Sequence, residues 1–411
     1  MMNGVQDNNR FDYILNIAQG LLQFKDMDLL LERILTEVRR MSNADAGSIY
    51  LVNHKTLYFA CSQNDTLQKR LAYGQKLVFE SYSMPINNSS VVGYVANTGI
   101  SLNLINAYQI DSNQPYRFDS SFDKKVNYST CSVLTVPINN ASNQVVGVIQ
   151  LINALNQDKS VRSFTALEES ITRLFAFNAA AAIEYAKLYR AMFVVLNRLV
   201  ELNDPRETLS HVDRVASLTM EVYDRWAQKH GIEEHRRQLA CDRIMTAARF
   251  HDLGKILAKN VSGDEAAKQL NAIIQGAWML SGIELEQFQL GTKLLSQYHE
   301  HWDGTGFPGY IDLATGKPLA GYSNGSNGAI KRHGAEIEAA ARILAVTHEY
   351  DILTHELVDG KEQVVDFEHR KAALNTIANA SGSRFDPEAV SGLVQYLEQL
   401  TSVNDLKAVS H

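Results

Sequence analysis

Residues 132–152 read SVLTVPINNASNQVVGVIQLI, and this stretch decides the fold of the first half of the chain. Two runs rich in β-branched residues, 132–138 and 144–152, flank the turn-forming sequence Asn-Asn-Ala-Ser-Asn at 139–143. Two neighbouring strands joined by so short a connection pair in antiparallel fashion. The stretch therefore predicts an antiparallel sheet.

The sequence before this hairpin predicts a second hairpin and two helices. Residues 46–52 and 57–61 are short β-rich runs that flank Asn-His-Lys-Thr at 53–56. Residues 10–43 predict a helix because apolar residues recur at three- and four-residue steps, and residues 90–97 predict a short helix that Gly99 ends. The first domain is therefore α+β, an antiparallel sheet with flanking helices.

The sequence after this hairpin predicts one long helix, from 164 to about 202. Its apolar residues step by threes and fours, as a helix-pairing seam requires. This favours a homodimer through the linker helix, and the alternative is a single helix packed on its own sheet. The seam residues are Leu174, Phe177, Ala181, Tyr185, Leu188, Met192, Val195 and Leu199.

Asn-Asp-Pro at 203–205 ends this helix, and the remaining sequence predicts helices throughout. A Gly/Asn/Ser-rich loop interrupts them at 304–334, and so long a loop in a compact domain is more often functional than idle. The second half is therefore predicted to be an all-α bundle that the long helix joins to the first domain.

Length and composition agree with two domains and exclude several classes of protein. The chain has 411 residues, 45% hydrophobic and 21% charged, which is typical of a globular protein. A net charge of −7 predicts no bulk attraction to nucleic acid or to an anionic membrane. Cys61, Cys131 and Cys241 are widely separated and fit reduced thiols. The N-terminus lacks the signature of a signal peptide, so we expect a cytoplasmic protein.

Histidines and carboxylates gather in four segments of the second half. Glu207 and His211 are four residues apart and share a helix face; His251 and Asp252 are adjacent; His299 and His348 lie in two later segments. A histidine may serve only as a satisfied partner in a polar cluster, but four such segments favour metal ligands.

Imidazole and carboxylate ligands suit a divalent metal, and iron or manganese is favoured over zinc. One or two ions per chain are expected, the second held by Glu207 and His299. A bound metal lowers the pKa of water and neutralises phosphate oxygens, so the pattern predicts hydrolysis of a phosphoester.

The first half resembles a GAF domain, over roughly residues 11–190, through the order and spacing of four segments. These segments are 46–50, 92–99, 134–138 and 146–153. The resemblance implies a domain at 1–190 that binds a small molecule of unknown identity. GAF domains that bind cyclic nucleotides have a pattern whose positions here are Asn153, Phe164, Glu168 and Glu169, with Ala154 where the pattern has Lys. The alternative is that these residues merely join the sheet to the long helix.

The second half resembles the HD-GYP family of HD-domain phosphohydrolases, from about 196 to 397 within a domain that extends to 411. The resemblance implies a helical bundle, a centre of two or three metals, and hydrolysis of the cyclic dinucleotide cyclic di-GMP. By motif, the metal ligands are Glu207, His211, His251, Asp252, His299 and His348, and Asp252 and Lys255 are the catalytic pair. A loop over the substrate would contain Asp303, Gly304, Gly306, Phe307 and Pro308.

This sequence departs from the family pattern at several positions. Tyr298 stands where the family has the first His of His-His-Glu, and Ala272 takes the place of another His by spacing. His348 replaces an Asp, and Phe307 replaces the Tyr of Gly-Tyr-Pro. Two hypotheses follow: an active phosphodiesterase controlled by the GAF sensor, or a degenerate domain that binds a nucleotide or a protein without chemistry.

Overall fold

The computed structural model describes residue 24 and residues 26–70, 83–205, 208–258, 265–325, 328–358 and 361–408. The chain divides into two compact units, Met1–Tyr189 and Arg190–His411. In the part of the chain that the structure describes, no helix is both long enough and apolar enough to cross a membrane.

The first unit is built on an antiparallel sheet whose order is β3-β2-β1-β6-β5-β4, with β7 beside β6. Both predicted hairpins are present: β1 pairs β2, and β5 pairs β6. Ile49, Val136 and Ile149 are buried, and consecutive residues are buried along most of β1 and β5, so both faces of these strands are covered. The strands are β1 (Ala44–Asn53), β2 (Thr56–Asn64), β3 (Ser83–Pro85), β4 (Leu102–Leu104), β5 (Val133–Asn139), β6 (Val145–Leu155) and β7 (Val161–Arg162).

Four short or medium helices accompany this sheet: α1 (Met27–Ser42), α2 (Asp65–Gln68), α3 (Val91–Thr98) and α4 (Ser121–Val126). Helix α1 buries one apolar face, and residues 10–23 and 25 of the predicted 10–43 helix lie outside the described residues. Helix α3 confirms the predicted 90–97 helix. The Ser90 side chain caps its first turn, and Gly99 ends it at a φ of 67°, where glycine avoids the strain of a Cβ.

Helix α5 (Ala166–Glu201) has 36 residues, which is about 54 Å of helix. One face is buried, including Phe175, Ala179 and Ile183. The predicted seam lies largely on the other side: Phe177, Leu188 and Met192 are 69%, 59% and 60% exposed. These exposed apolar side chains lie along one face of α5.

The second unit is mostly helical. Its core packs α11 against α6 and α13 through Val222, Val346, Tyr350 and Leu393. The helices are α6 (Leu209–Lys229), α7 (Glu234–Ala248), α8 (Lys255–Ala258), α9 (Glu265–Leu280), α10 (Glu286–Gln297), α11 (Ala339–Thr354), α12 (Phe367–Asn379) and α13 (Pro387–Ala408).

The prediction of an all-α second half is wrong at one place. Strands β8 (His355–Val358) and β9 (Lys361–Val364) form an antiparallel pair directly after α11. The sequence signal was Asp359-Gly360, a dipeptide typical of two-residue hairpin turns, which lies outside the described residues.

Candidate metal centre

Helix α6 presents His211 in its first turn. The Thr208 side chain caps the helix by accepting a hydrogen bond from the His211 backbone N–H at 3.1 Å. Val212, Val215 and Val222 bury the inner face of the helix, and His211, only 6% exposed, lies at the end of that face. Capping and burial together direct this imidazole into the interior of the unit.

The Asp351 carboxylate, on α11, orients the His211 ring. Its Oδ2 lies 2.7 Å from His211 Nδ1, and Arg214 donates to both carboxylate oxygens. Burial alone would raise the pKa of Asp351, but the hydrogen bonds from His211 and Arg214 outweigh burial and lower the pKa to about 2. An ionised carboxylate on Nδ1 turns Nε2 of His211 towards the other histidines, as the partners of metal-bound histidines do.

His251 and Asp252 lie in the turn that follows α7. The His251 ring is 2% exposed, and its Nδ1 lies 2.8 Å from the carbonyl oxygen of Ala248. Because a carbonyl oxygen only accepts, Nδ1 is the donor, and Nε2 faces inward. Gly254 permits the turn to approach α9 closely, since a Cβ there would lie 1.7 Å from the carbonyl oxygen of Ala272.

His348 on α11 supplies the third imidazole. Burial, and then the neighbouring His251, lower its pKa well below the ordinary value. The ring is therefore neutral at neutral pH and can offer a lone pair to a cation.

These side chains converge on one small volume. The ring centroids of His211, His251 and His348 lie 5.1–5.5 Å apart. Asp252 Oδ2 lies 3.1 Å from His251 Nε2 and 3.9 Å from His348 Nε2. One ligand atom from each of these four residues lies within 4.8 Å of the other three.

The donor set fits a divalent metal ion. Nε2 of His251 and Nε2 of His348 are buried and have no hydrogen-bond partner among the described residues. Buried polar atoms are rarely left in this state. Imidazole nitrogens with one carboxylate oxygen are a donor set that iron, manganese and zinc accept.

Asp252 is held from two sides. The Tyr298 hydroxyl donates to Oδ1 at 3.0 Å, and Lys255 Nζ donates to Oδ2 at 3.0 Å. The tyrosine that replaces an expected histidine is thus a hydrogen-bond donor to the carboxylate that faces the cluster. Sequence reasoning missed this role and that of Asp351, because both depend on contacts between distant segments.

The structure does not place every predicted ligand in the cluster. The His299 ring packs against Tyr298 with centroids 3.9 Å apart, and it stacks on Phe307 at 5.4 Å. Burial lowers the pKa of His299 to about 3, so the ring is neutral, but it is not among the four residues that converge. Glu207 lies outside the described residues.

The predicted substrate loop is anchored next to His299. Phe307 N donates to the carbonyl oxygen of His299 at 3.2 Å, and a Cβ on Gly306 would lie 2.2 Å from the backbone of His301. Asp303 accepts hydrogen bonds within its own turn, at Thr305. Gly304 has a φ of 83°, and Pro308 follows a cis peptide bond. The loop backbone is thus shaped by its own contacts.

Buried Glu300 accepts hydrogen bonds from two residues of this loop. Its Oε1 accepts from the backbone N–H of Gly309 at 2.6 Å and from Arg332 at 3.1 Å. Burial raises the pKa of Glu300 against the opposing effect of these donors. Glu300 therefore links Gly309, near the start of the loop, to Arg332, near its end.

The candidate ligand residues of the first unit are engaged by their neighbours. Asn153 accepts from Cys131 N at 2.8 Å and donates to the Tyr128 hydroxyl and to Ser129 O at 3.1 and 2.7 Å. Phe164 is 5% exposed. These contacts favour the alternative in which the residues join the sheet to α5.

The two glutamates that follow are also paired. Glu168 accepts from both terminal nitrogens of Arg162 and from Thr165 N. Burial opposes ionisation of Glu168, but these donors outweigh it and lower its pKa. Glu169 pairs with Arg173 at 2.8 Å, one turn along α5.

Comparison with known proteins identifies the first unit. Residues 26–183 match the GAF domain family, so the chain contains a GAF domain. The probable 3',5'-cyclic phosphodiesterase pde-5 of Caenorhabditis elegans is 29% identical over 185 residues, which are 43% of this chain and 23% of the relative. The dual 3',5'-cyclic-AMP and -GMP phosphodiesterase 11A of Takifugu rubripes is 28% identical over 214 residues, 48% of this chain and 22% of the relative.

This chain thus spans less than a quarter of the length of these relatives, and the similarity covers their GAF regions only. Among solved structures, a GAF domain/HD domain protein from Geobacter sulfurreducens is similar at 16% identity and a TM-score of 0.30. That match covers 42% of this chain and 98% of the other.

Proposed function

We propose that the second unit is a metal-dependent phosphodiesterase that hydrolyses a cyclic dinucleotide, cyclic di-GMP first among them, under control of the GAF domain. The observation that carries the proposal is the convergence of His211, His251, Asp252 and His348, whose ligand atoms lie within 4.8 Å of one another and are buried. The similarity of the GAF domain to GAF regions of cyclic nucleotide phosphodiesterases supports a role in nucleotide signalling.

His211, His251, Asp252 and His348 would hold one divalent ion, iron or manganese rather than zinc. Bound there, such an ion supplies an acidified water and neutralises phosphate charge. The neutral state of His348 suits it to coordination, and the Asp351 carboxylate orients the His211 ring. A second ion would need Glu207 and His299.

Lys255 has the position of an anion-binding group. Its ammonium donates to Asp252 and its side chain is 29% exposed, so it can reach a phosphate without leaving the cluster. There it would offset the negative charge that builds up on the leaving oxygen. Tyr298 keeps Asp252 in place through its other carboxylate oxygen while Lys255 contacts the substrate.

A second candidate function, nucleotide or protein binding without chemistry, is favoured by one observation. The Tyr298 hydroxyl donates its hydrogen bond to Asp252, and Tyr298 has no ring nitrogen that could bind a metal. Ala272 has no side-chain ligand atom, and its backbone carbonyl lies against Gly254. The cluster would then hold a structural metal, and the unit would act as a receptor.

The exposed face of α5 supports a homodimer through this helix. Leu188, Met192 and Val195 are all more than half exposed and repeat at three- and four-residue steps. A second copy of the same seam would cover them. A negative charge introduced at the seam by Leu188→Glu should convert dimer to monomer in sedimentation, whereas the charge reversal Lys187→Glu at the neighbouring exposed position should not.

For the GAF domain we propose a small-molecule ligand, with cyclic mononucleotides as the first to be assayed because of its relatives. Calorimetric titration of the full chain with cyclic AMP and cyclic GMP tests this. Absence of heat with both nucleotides would exclude them.

The decisive experiment measures metal content and hydrolysis on the same anaerobically purified sample. We expect at least one metal ion per chain and turnover of cyclic di-GMP with added iron or manganese, both lost in His251→Ala. The control is His235→Ala, which removes an exposed histidine of the same unit. Metal and tight nucleotide binding without product would establish the receptor instead.

A further inference from the structure

The C-terminal part of helix α5, residues 190–200, contacts both segments that carry the proposed metal ligands. Three of its side chains face inward: Phe193, Asn197 and Val200 are 4%, 5% and 4% exposed. All three line one cavity together with Asp252, Arg249 and Leu253. One helix thus forms the wall behind the His251-Asp252 turn.

An aromatic contact holds the turn from this side. The Phe193 ring meets the Phe250 ring edge to face, with centroids 5.8 Å apart and an interplanar angle of 83°. Arg249 lies over the same Phe193 ring at 5.7 Å. Because Phe250 directly precedes His251, a displacement of Phe193 shifts the segment that carries two ligands.

A chain of ion pairs reaches the other ligand segment. Arg190 lies 3.2 Å from Asp213, and Asp213 lies 2.9 Å from Arg249. Asp213 follows His211 by two residues, and Arg249 precedes His251 by two residues. Arg190 is therefore linked through Asp213 to the segment of His211, and through Asp213 and Arg249 to the His251-Asp252 turn.

Asn197 is the polar residue of this wall. Its Oδ1 is buried and has no hydrogen-bond partner among the described residues, and the residue lines the cavity beside Asp252. A leucine would be the ordinary choice for a helix face that only packs. An amide at this position instead adds a dipole next to the ligand carboxylate.

We propose that residues 190–200 of α5 are a positioning element for the metal centre, with Phe193, Asn197 and Arg190 as its positioning residues. The inference rests on the proposed metal site and adds its regulation: the placement of this helix sets the affinity of the ligand cluster for metal. Phe193 acts through Phe250, and Arg190 acts through Asp213 and Arg249. Asn197 acts from the cavity that it lines together with Asp252.

The test is the affinity of the full chain for Mn²⁺, titrated by calorimetry and by the electron paramagnetic resonance of the free ion. Phe193→Leu should weaken binding about 10-fold, the lower end of what loss of an outer partner does to a metal site. Arg190→Ala and Asn197→Ala should weaken it a few-fold. Arg198→Ala, an exposed arginine removed from the same helix, is the matched control and should bind as the wild type does.

The possible outcomes distinguish failure of the positioning element from failure of the proposed metal centre. If the wild type binds Mn²⁺ and all variants bind equally well, the positioning element is overturned and the metal centre stands. If the wild type binds no metal, both are overturned. Should Phe193→Leu fail to fold, Arg190→Ala decides, because the exposed Arg190 side chain contributes little to the core.

Discussion

The two units differ in what their candidate polar residues do with their hydrogen-bonding atoms. In the GAF domain, Asn153 and Glu168 use their polar atoms on neighbours in the same domain. In the second unit, the Nε2 atoms of His251 and His348 are buried and make no hydrogen bond to the described residues, and Asp252 Oδ2 lies 3.1 and 3.9 Å from them. Since buried polar atoms are nearly always hydrogen bonded, the hydrogen bonds of Asn153 and Glu168 are those of structural residues, whereas the two histidine nitrogens support the proposed metal site.

The strongest way to break this comparison is Asp252→Asn. The change keeps the shape of the side chain and removes the only negative charge among the four converging ligands. Mn²⁺ affinity and hydrolysis of cyclic di-GMP should each fall by more than about 100-fold, because a ligand and not an outer partner is lost. Titration and product chromatography measure the two effects, with exposed Asp158→Asn as the control. Unchanged metal binding in Asp252→Asn would remove this residue from the site.

A second substitution tests whether Asp351, the hydrogen-bond partner of the proposed ligand His211, contributes to metal binding. Asp351→Asn leaves an acceptor for His211 but removes the charge that orients and polarises the ring. Mn²⁺ affinity should fall about 10-fold. Asp366→Asn is the matched control, since Asp366 also lies against a histidine, His369 at 2.8 Å, in a pair that is exposed on both sides. Equal Mn²⁺ affinity in the two variants would contradict the role of Asp351.

In the GAF domain, Asn153→Ala should change stability and leave metal affinity unchanged, the opposite of what is expected for Asp252→Asn. The residue is 4% exposed and makes three hydrogen bonds, and its φ of 56° is unfavourable for alanine. Unfolding of the GAF domain should become easier by about 1–3 kcal/mol, measured by denaturant titration. Mn²⁺ affinity should not change. A loss of cyclic nucleotide binding without a loss of stability would contradict this structural role and indicate that Asn153 contacts a ligand.

The smallest effect is expected for Glu169→Gln. Its pair with Arg173 lies on the surface of α5, one helical turn apart. Such pairs contribute about 0.3–0.5 kcal/mol, so the unfolding transition should barely move. A change in cyclic nucleotide binding in this variant, measured by calorimetry, would show that Glu169 serves a ligand and not the helix.

Local signals in the sequence were sufficient for most of the fold. The hairpin at 132–152 follows from β-branched runs around an Asn-rich turn, and helix α3 follows from its Ser90 cap and Gly99 stop. The β8-β9 hairpin was missed because its strands have only four residues each, too few to show a clear period.

In the candidate site too, some features were predictable from the sequence and others only from the structure. The residue types of the cluster, His211, His251, Asp252 and His348, were predicted from their motifs. His299, predicted as a further ligand, stacks on Phe307 and is not among the four residues that converge. Tyr298 looked like a lost ligand, and only its distance to Asp252 shows it as a hydrogen-bond donor.

The sequence by itself determined the two-part organisation, the antiparallel sheet, the long helix and the kinds of atoms available for a metal, since each depends on neighbours within a few residues or on residue chemistry. The tertiary structure alone decided which of those atoms meet. Asp351 lies 140 residues from His211, and Tyr298 lies 46 residues from Asp252. Contacts at such separations arise from helix packing, and helix packing depends on the shapes of whole apolar faces and not on any local pattern.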